Sequence, residues 1–360
     1  MCGAARVLLL LTSLATVALA RPAAVQARSE LHKGIALGLF AEDPAFSYEP
    51  LLREVAATGA THVSIIVPYY QHDVGSTEIG LHPRFSPPDA VVEATLLQAR
   101  RARLDVLLFP ILRLEYAVTV DEWRGSLRSR DPEAWWRSYR ELILKLARLA
   151  EKHGAAALCV GSELSAMDTT AERWAPLIKE VRRVYRGQLV YSANWDHYDK
   201  VGLWHLVDLA GLSAYFQLTE GLRQPSLERL VHAWREQRVA ISRWRAKIRK
   251  PLLVTELGYH SQDRTNAFPW DESTDKPVNL REQADCYEAF VRVFRDAATP
   301  RLGSYLRGVY FWNWFGWGGA KSREYCPRGK PAAEVICRWY GAKPGACPRA
   351  HGQPWFDGKR

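Results

Sequence analysis

Residues 159–164 read CVGSEL, a short apolar run and a glycine followed by a carboxylate at Glu163. Such a run is a buried strand, and an acid at its end must be solvated, paired or used, because burying it alone is costly. LLVTELGYH (252–260) repeats the design with Glu256, 93 residues after Glu163. A strand and its crossover take about 31 residues in a barrel of ~250 residues, so this separation spans three units. The two glutamates are then expected on strands four and seven of one closed sheet, facing each other across its mouth.

The rest of the chain fits that frame. Apolar runs at 34–40, 62–68, 105–110, 155–161, 189–193, 209–214, 252–255 and 308–312 alternate with longer amphipathic stretches. Alternation of this kind implies βαβ units and a parallel sheet, and eight runs imply a closed α/β barrel. A single (β/α)8 TIM barrel is expected over 31–340, after a spacer at 21–30 and before a tail at 341–360. Asp131-Pro132-Glu133 is a helix start, with an N-cap, a proline at the first helical position and an acid near the positive helix end. Trp136, Tyr139, Ile143, Leu146 and Ala150 then recur at helical spacing, and Ser86-Pro87-Pro88-Asp89 opens another helix. The stretch 196–207 is too short for a standard crossover helix.

Residues 1–20 carry one positive charge, Arg6, an apolar run from Val7, and Ala18-Leu19-Ala20 before Arg21. This pattern is that of a cleavable secretory signal, and the run is shorter than a membrane span requires. The cleaved chain is expected to be secreted or periplasmic, without stable membrane insertion and as a monomer. It keeps Cys159, Cys286, Cys326, Cys337 and Cys347, an odd number, so at least one thiol stays free. Cys159 lies inside an apolar strand and is expected to be a small buried hydrophobe. Cys326, Cys337 and Cys347 crowd the tail, where two of the three are expected to pair. Their spacing does not match a zinc site, and no metal or other cofactor is expected.

The formal charge is +10, but the basic residues are spread along helix-like stretches such as REQRVAISRWRAKIRK, with no nucleic-acid recognition motif. Solvated helix faces and weak attraction to anionic surfaces account for them.

In a (β/α)8 barrel the catalytic groups finish the strands. Tyr69 and Tyr70 follow the second run, Arg113 and Glu115 the third, Asn194 and Trp195 the fifth, Tyr215 the sixth, and Trp312 to Trp314 the eighth. Two opposed carboxylates ringed by aromatic side chains suit glycoside cleavage, which needs one acid to protonate the leaving oxygen and one carboxylate to attack or to activate water. Tyr215 is expected to hydrogen-bond Glu256, Trp312 to floor the central sugar subsite with Trp314 and Trp317 nearby, Asn194 and Trp195 to line the cleft, Arg124 to bind hydroxyls from the loop after strand three, and Tyr69 to serve a distal subsite.

The motifs KGIALGLF (33–40), VSIIVPYYQ (63–71), DEWRGSL (121–127), AWWRSY (134–139), VGSEL (160–164), YSANWDHY (191–198), AGLSAYF (210–216), LLVTELGY (252–259), GVYFWNWFGWGG (308–319) and PRGKPAAEVICRWY (327–340) occur in that order. With them the chain resembles glycoside hydrolase family 113, a (β/α)8 family whose known members are chiefly retaining endo-β-1,4-mannanases. The resemblance implies that Glu163 is the acid/base, that Glu256 is the nucleophile, and that the partner is a polysaccharide or oligosaccharide such as mannan or glucomannan. The same chemistry on a β-glucan, a chitosan-like polymer or an envelope polysaccharide, and a barrel that binds sugar without cleaving it, are the competing readings. The wider clan usually has asparagine immediately before the acid/base, where it contacts the sugar 2-hydroxyl. This chain has Ser162 there, so the geometry around that hydroxyl is expected to differ.

Overall fold

The computed structural model describes residues 31–221, 224–271, 273, 275–295 and 305–348. The expected signal segment and spacer, and the tail from 349 onward, lie outside these residues. The eight parallel strands β1 (His32–Gly38), β2 (His62–Gln71), β3 (Asp105–Leu114), β4 (Ala157–Ser162), β5 (Gln188–Asn194), β6 (Leu209–Ser213), β7 (Leu252–Leu257) and β8 (Leu306–Phe311) pair in chain order, and β8 returns to β1. The closed barrel expected from the eight apolar runs is therefore present.

Helices α1 (Glu49–Ala57), α2 (Asp89–Arg101), α3 (Pro132–His153), α4 (Trp174–Val184), α5 (Leu227–Ile248), α6 (Leu280–Phe294) and α7 (Pro331–Tyr340) alternate with the strands. Between β5 and β6 there is only a 3-10 turn, Trp204–Leu206, in the stretch too short for a helix. At the start of α3, Asp131 accepts from the Ala134 amide at 3.0 Å and Pro132 holds the first turn. Ser86 does not cap α2; its hydroxyl donates to the Pro68 carbonyl instead. Among the described residues no helix is long and apolar enough to cross a membrane.

β2 and β3 run past Pro68 and Pro110, which the sequence suggested as strand ends. The β1–β2 ladder reaches only to Ile66 and the β3–β4 ladder only to Leu108, so beyond those residues each strand has one neighbour. A proline, which lacks an N–H, is tolerated on such an edge.

Alternation along the strands divides the core. Ile66, Leu107, Phe109, Cys159, Val190, Leu253 and Tyr310 fill the barrel, whereas Val63, Ile65, Val67, Leu158, Leu189 and Val254 meet the helices. Cys159 is a buried free thiol inside the barrel, as its apolar strand suggested. Cys337 bonds Cys347, fastening the first part of the tail to α7, and Cys326 and Cys286 are buried thiols.

Where β1 and β2 begin, His32 and His62 stack with ring centroids 3.9 Å apart. Burial lowers the pKa of His32 to about 2, helped by His62 and Arg307, and that of His62 to about 4, helped by Arg307. Both folded values lie below the ordinary one, so the folded chain binds fewer protons than the unfolded chain. The pair contributes stability that is fully present above about pH 6.5 and is lost as pH falls, down to about 4 for His62 and about 2 for His32. Each ring accounts for roughly 1.4 kcal/mol per pH unit where only the unfolded chain protonates it. Denaturant titrations are expected to show a stability slope in this window that is shallower by about one proton in His62→Phe than in the wild type; an unchanged slope would contradict the assignment.

Candidate active site

The carboxylates are aimed by irregularities in the ladder. The β4–β5 register shifts between Cys159 and Ser162, and Glu163 follows with φ 55°, in the left-handed region. For a residue with a Cβ this conformation costs about 1–2 kcal/mol. It is held by the Glu163 amide, which donates to the Ser192 carbonyl at 2.8 Å. Gly161 lets the helix layer press close below. A Cβ there would lie 2.7 Å from the Trp174 ring and 2.9 Å from that of Tyr191. On β7, strict alternation would turn Glu256 to the helices with Val254. The β6–β7 pairing steps from Leu212↔Val254 to Ser213↔Glu256, and the β7–β8 pairing slips between Val254 and Leu257. Bulges of this kind re-aim side chains, and Glu256 joins Glu163 in lining a cleft of about 720 Å³ at the barrel mouth.

Both carboxylates are buried, at 3% and 2% exposure, so their partners decide what they can do. The Tyr215 hydroxyl donates to Glu256 Oε2 at 2.9 Å, as expected from its place at the end of β6. Arg124 places both Nε (2.9 Å) and Nη2 (2.6 Å) on Glu163 Oε2, leaving Oε1 outside this contact. Arg124 sits on a 3-10 turn, Arg124–Ser126, with its guanidinium 5.7 Å from the Trp123 ring. Gly125 lies under that ring, where a Cβ would come within 2.2 Å, and its carbonyl accepts from the Ala166 amide. The loops after β3 and β4 are thereby joined behind the ion pair. Arg124 is thus first of all a partner of Glu163, a role the sequence did not suggest.

Asn194, Trp195 and Trp312 line the cleft as expected. Asn194 donates to Asp196 at 2.9 Å, and the Trp195 ring stacks on Trp270 at 5.1 Å with planes 16° apart. Sequence reasoning missed Trp123, Trp270, Tyr325, Asp121 and Asp196 as lining residues. All lie on loops beyond the strand ends. A half-exposed tryptophan in the polar stretch AFPWDES was the available signal.

Two expectations, for Tyr69 and Trp314, are corrected, and Ser162 departs from the wider clan as expected. Tyr69 is 3% exposed and packs with Val63, Ile65 and Val67 on the helix side, so it serves no distal subsite. Its neighbour Tyr70 has the opposite orientation and lines a separate pocket with His82 and Arg113. Trp314 is fully buried and donates to Glu54 at 2.9 Å, which Arg328 also holds. Ser162 lines a small internal cavity with Tyr69, Tyr139 and Leu164 instead of the mouth, so its hydroxyl cannot replace the asparagine of the wider clan at the 2-hydroxyl.

A closed (β/α)8 barrel carrying two buried glutamates at the ends of strands four and seven, in an aromatic-lined cleft, defines a glycoside hydrolase. The model of Glycoside Hydrolase Family 113 matches residues 38–330, and the chain belongs to that family. No curated protein matches it. Among solved structures it is similar to AaManA, a GH113 beta-mannanase from Alicyclobacillus acidocaldarius in complex with ManMIm, with TM-score 0.74 and 25% identity over 87% of this chain and 98% of that one. A second GH113 beta-1,4-mannanase matches with TM-score 0.75 and 22% identity over 87% of this chain and 100% of that one. A family 5 mannosidase from Rhizomucor miehei shares the fold at 12% identity and TM-score 0.61, over 88% and 94% of the two chains.

Proposed function

We propose that this chain is a secreted, retaining β-mannanase that cleaves neutral β-1,4-mannan or glucomannan by double displacement. The observation that carries this reading is that two carboxylates, both buried, converge in one aromatic-lined cleft. Glu256, hydrogen-bonded by the Tyr215 hydroxyl, is kept as the anion that attacks the anomeric carbon. Glu163 delivers its proton to the leaving oxygen from Oε1, the atom outside the Arg124 contact. The glycosyl ester on Glu256 is then hydrolysed by water that Glu163 deprotonates.

The sugar class rests on charge and on relatives. The cleft is lined by Asp121, Glu163, Asp196 and Glu256 against Arg124, an acidic wall that disfavours a polyanion despite the basic chain. The Trp195–Trp270 stack and Trp312 supply apolar faces for pyranose rings. The family relatives named above are β-mannanases. Secretion is supported by the signal-like residues 1–20 and fits the Cys337–Cys347 bridge.

Reducing-end release from a panel of mannan, glucomannan, cellulose, chitosan and alginate tests the sugar, with mannan and glucomannan expected to be cleaved and alginate left intact. NMR of the first-formed anomer is expected to show the β configuration. Inversion would remove Glu256 as nucleophile, and binding without release would make the barrel a sugar-binding protein.

A further inference from the structure

Beneath Glu163 lies a buried polar chain that the proposed reaction does not use. The Leu164 amide, immediately after Glu163, donates to the Tyr191 hydroxyl at 3.2 Å. That hydroxyl donates to Asp168 Oδ2 at 2.6 Å, and Asp168 Oδ1 meets His197 Nε2 at 2.9 Å. Asp168 is fully buried; burial raises its pKa, while the bonds from Tyr191 and His197 oppose the rise. A carboxylate is an expensive group to bury beside an active site unless it fixes something. Tyr191 is gripped by Trp174 and Trp204, edge to face at 5.3 and 5.9 Å, so its hydroxyl is a fixed point. At the other end, the His197 amide donates to the carbonyl of the cleft residue Asn194 at 3.0 Å. The chain thus joins the peptide that follows Glu163 to the turn that forms the cleft wall.

We infer that Tyr191, Asp168 and His197 are positioning residues that hold the left-handed Glu163 backbone so that its carboxyl meets the leaving oxygen. The three touch no reacting atom; they act through the peptide that carries Glu163. This rests on the acid/base role proposed for Glu163. Misplacement of an acid slows only the step that needs it. General acid catalysis supplies about 10²–10⁴-fold, and a partial loss of aim forfeits part of that.

The test compares kcat/KM, which reports glycosylation alone, on mannotetraose and on 2,4-dinitrophenyl β-mannobioside, whose leaving group needs no proton. The cello-configured pair is run in parallel, so that a wild-type preference for glucose does not hide the comparison. Tyr191→Phe is expected to lose about 30-fold on the tetraose and less than about 3-fold on the aryl glycoside. His197→Ala should show the same split more weakly, and His197→Gln, which can still donate to Asp168, should bring the rate on the tetraose back toward that of the wild type. Equal losses on both substrates, or no loss, would overturn the inference, as would loss of the folded state in both Tyr191→Phe and His197→Ala. Glu163→Gln is the reference. If it shows no split, the acid role of Glu163 fails and this inference with it; if it does and Tyr191→Phe does not, only the positioning role fails.

Discussion

Glu256→Ala is expected to abolish turnover of every substrate, with kcat falling on the order of 10⁴-fold or more, as when other covalent nucleophiles are removed. The loss cannot be made good from nearby. The other carboxylates lining the cleft are Glu163, held by Arg124, and the exposed Asp121 and Asp196. Removing the side chain also strips the Tyr215 hydroxyl of its acceptor and opens space on the attacking face. Azide entering that space can displace an activated leaving group directly, so the rescued product should be the α-glycosyl azide. A variant that is folded by circular dichroism and still cleaves mannan would show that Glu256 forms no covalent intermediate.

Glu163→Ala should give the mirror result. Glycosylation from an unactivated sugar chain is expected to fall by about 10²–10⁴-fold, whereas a dinitrophenyl glycoside still forms the glycosyl-enzyme and then stalls, because water lacks its base. Azide needs no base and should release the β-glycosyl azide, of opposite configuration to the Glu256→Ala product. A β product from both variants, or an α product from both, would contradict the assignment of the two roles. Arg124 adds a control. Because it pairs with Glu163, Arg124→Ala leaves a buried carboxyl with one partner fewer and should affect the Glu163-dependent steps.

The barrel was legible because each apolar run had to be a strand and each amphipathic stretch a cover, and because Glu163 and Glu256 were too polar to end such runs without a purpose. Glu256 was placed correctly for an incomplete reason. Alternation from Val254 would have sent it to the helices, and the β7 irregularities that turn it inward leave no mark in LLVTEL. Alternation also separates Tyr69 from Tyr70, and the sequence alone does not say which of two adjacent tyrosines faces the mouth. Trp314 failed for a different reason. In a stretch as aromatic as FWNWFGW, only the partner of each indole shows its role, and that of Trp314 is Glu54, 260 positions earlier in the chain. Trp270 and Tyr325 reach the cleft from loops whose course is set by distant contacts, such as the Tyr325 hydroxyl on the Pro269 carbonyl at 2.5 Å.

The acidic mouth of this basic protein means that ionic strength acts on two separate properties. At low salt the exterior concentrates the molecule near anionic matter, over a screening length of about 30 Å at about 0.01 M that shrinks to about 8 Å at physiological ionic strength. The same matter is repelled from Asp121 and Asp196 at the entrance, so an acidic surface can hold the protein without occupying its groove. Added salt releases the protein from that surface but reaches the buried carboxylates only weakly. Adsorption and turnover of the proposed neutral substrate are therefore expected to be separable by salt, with adsorption the more sensitive of the two.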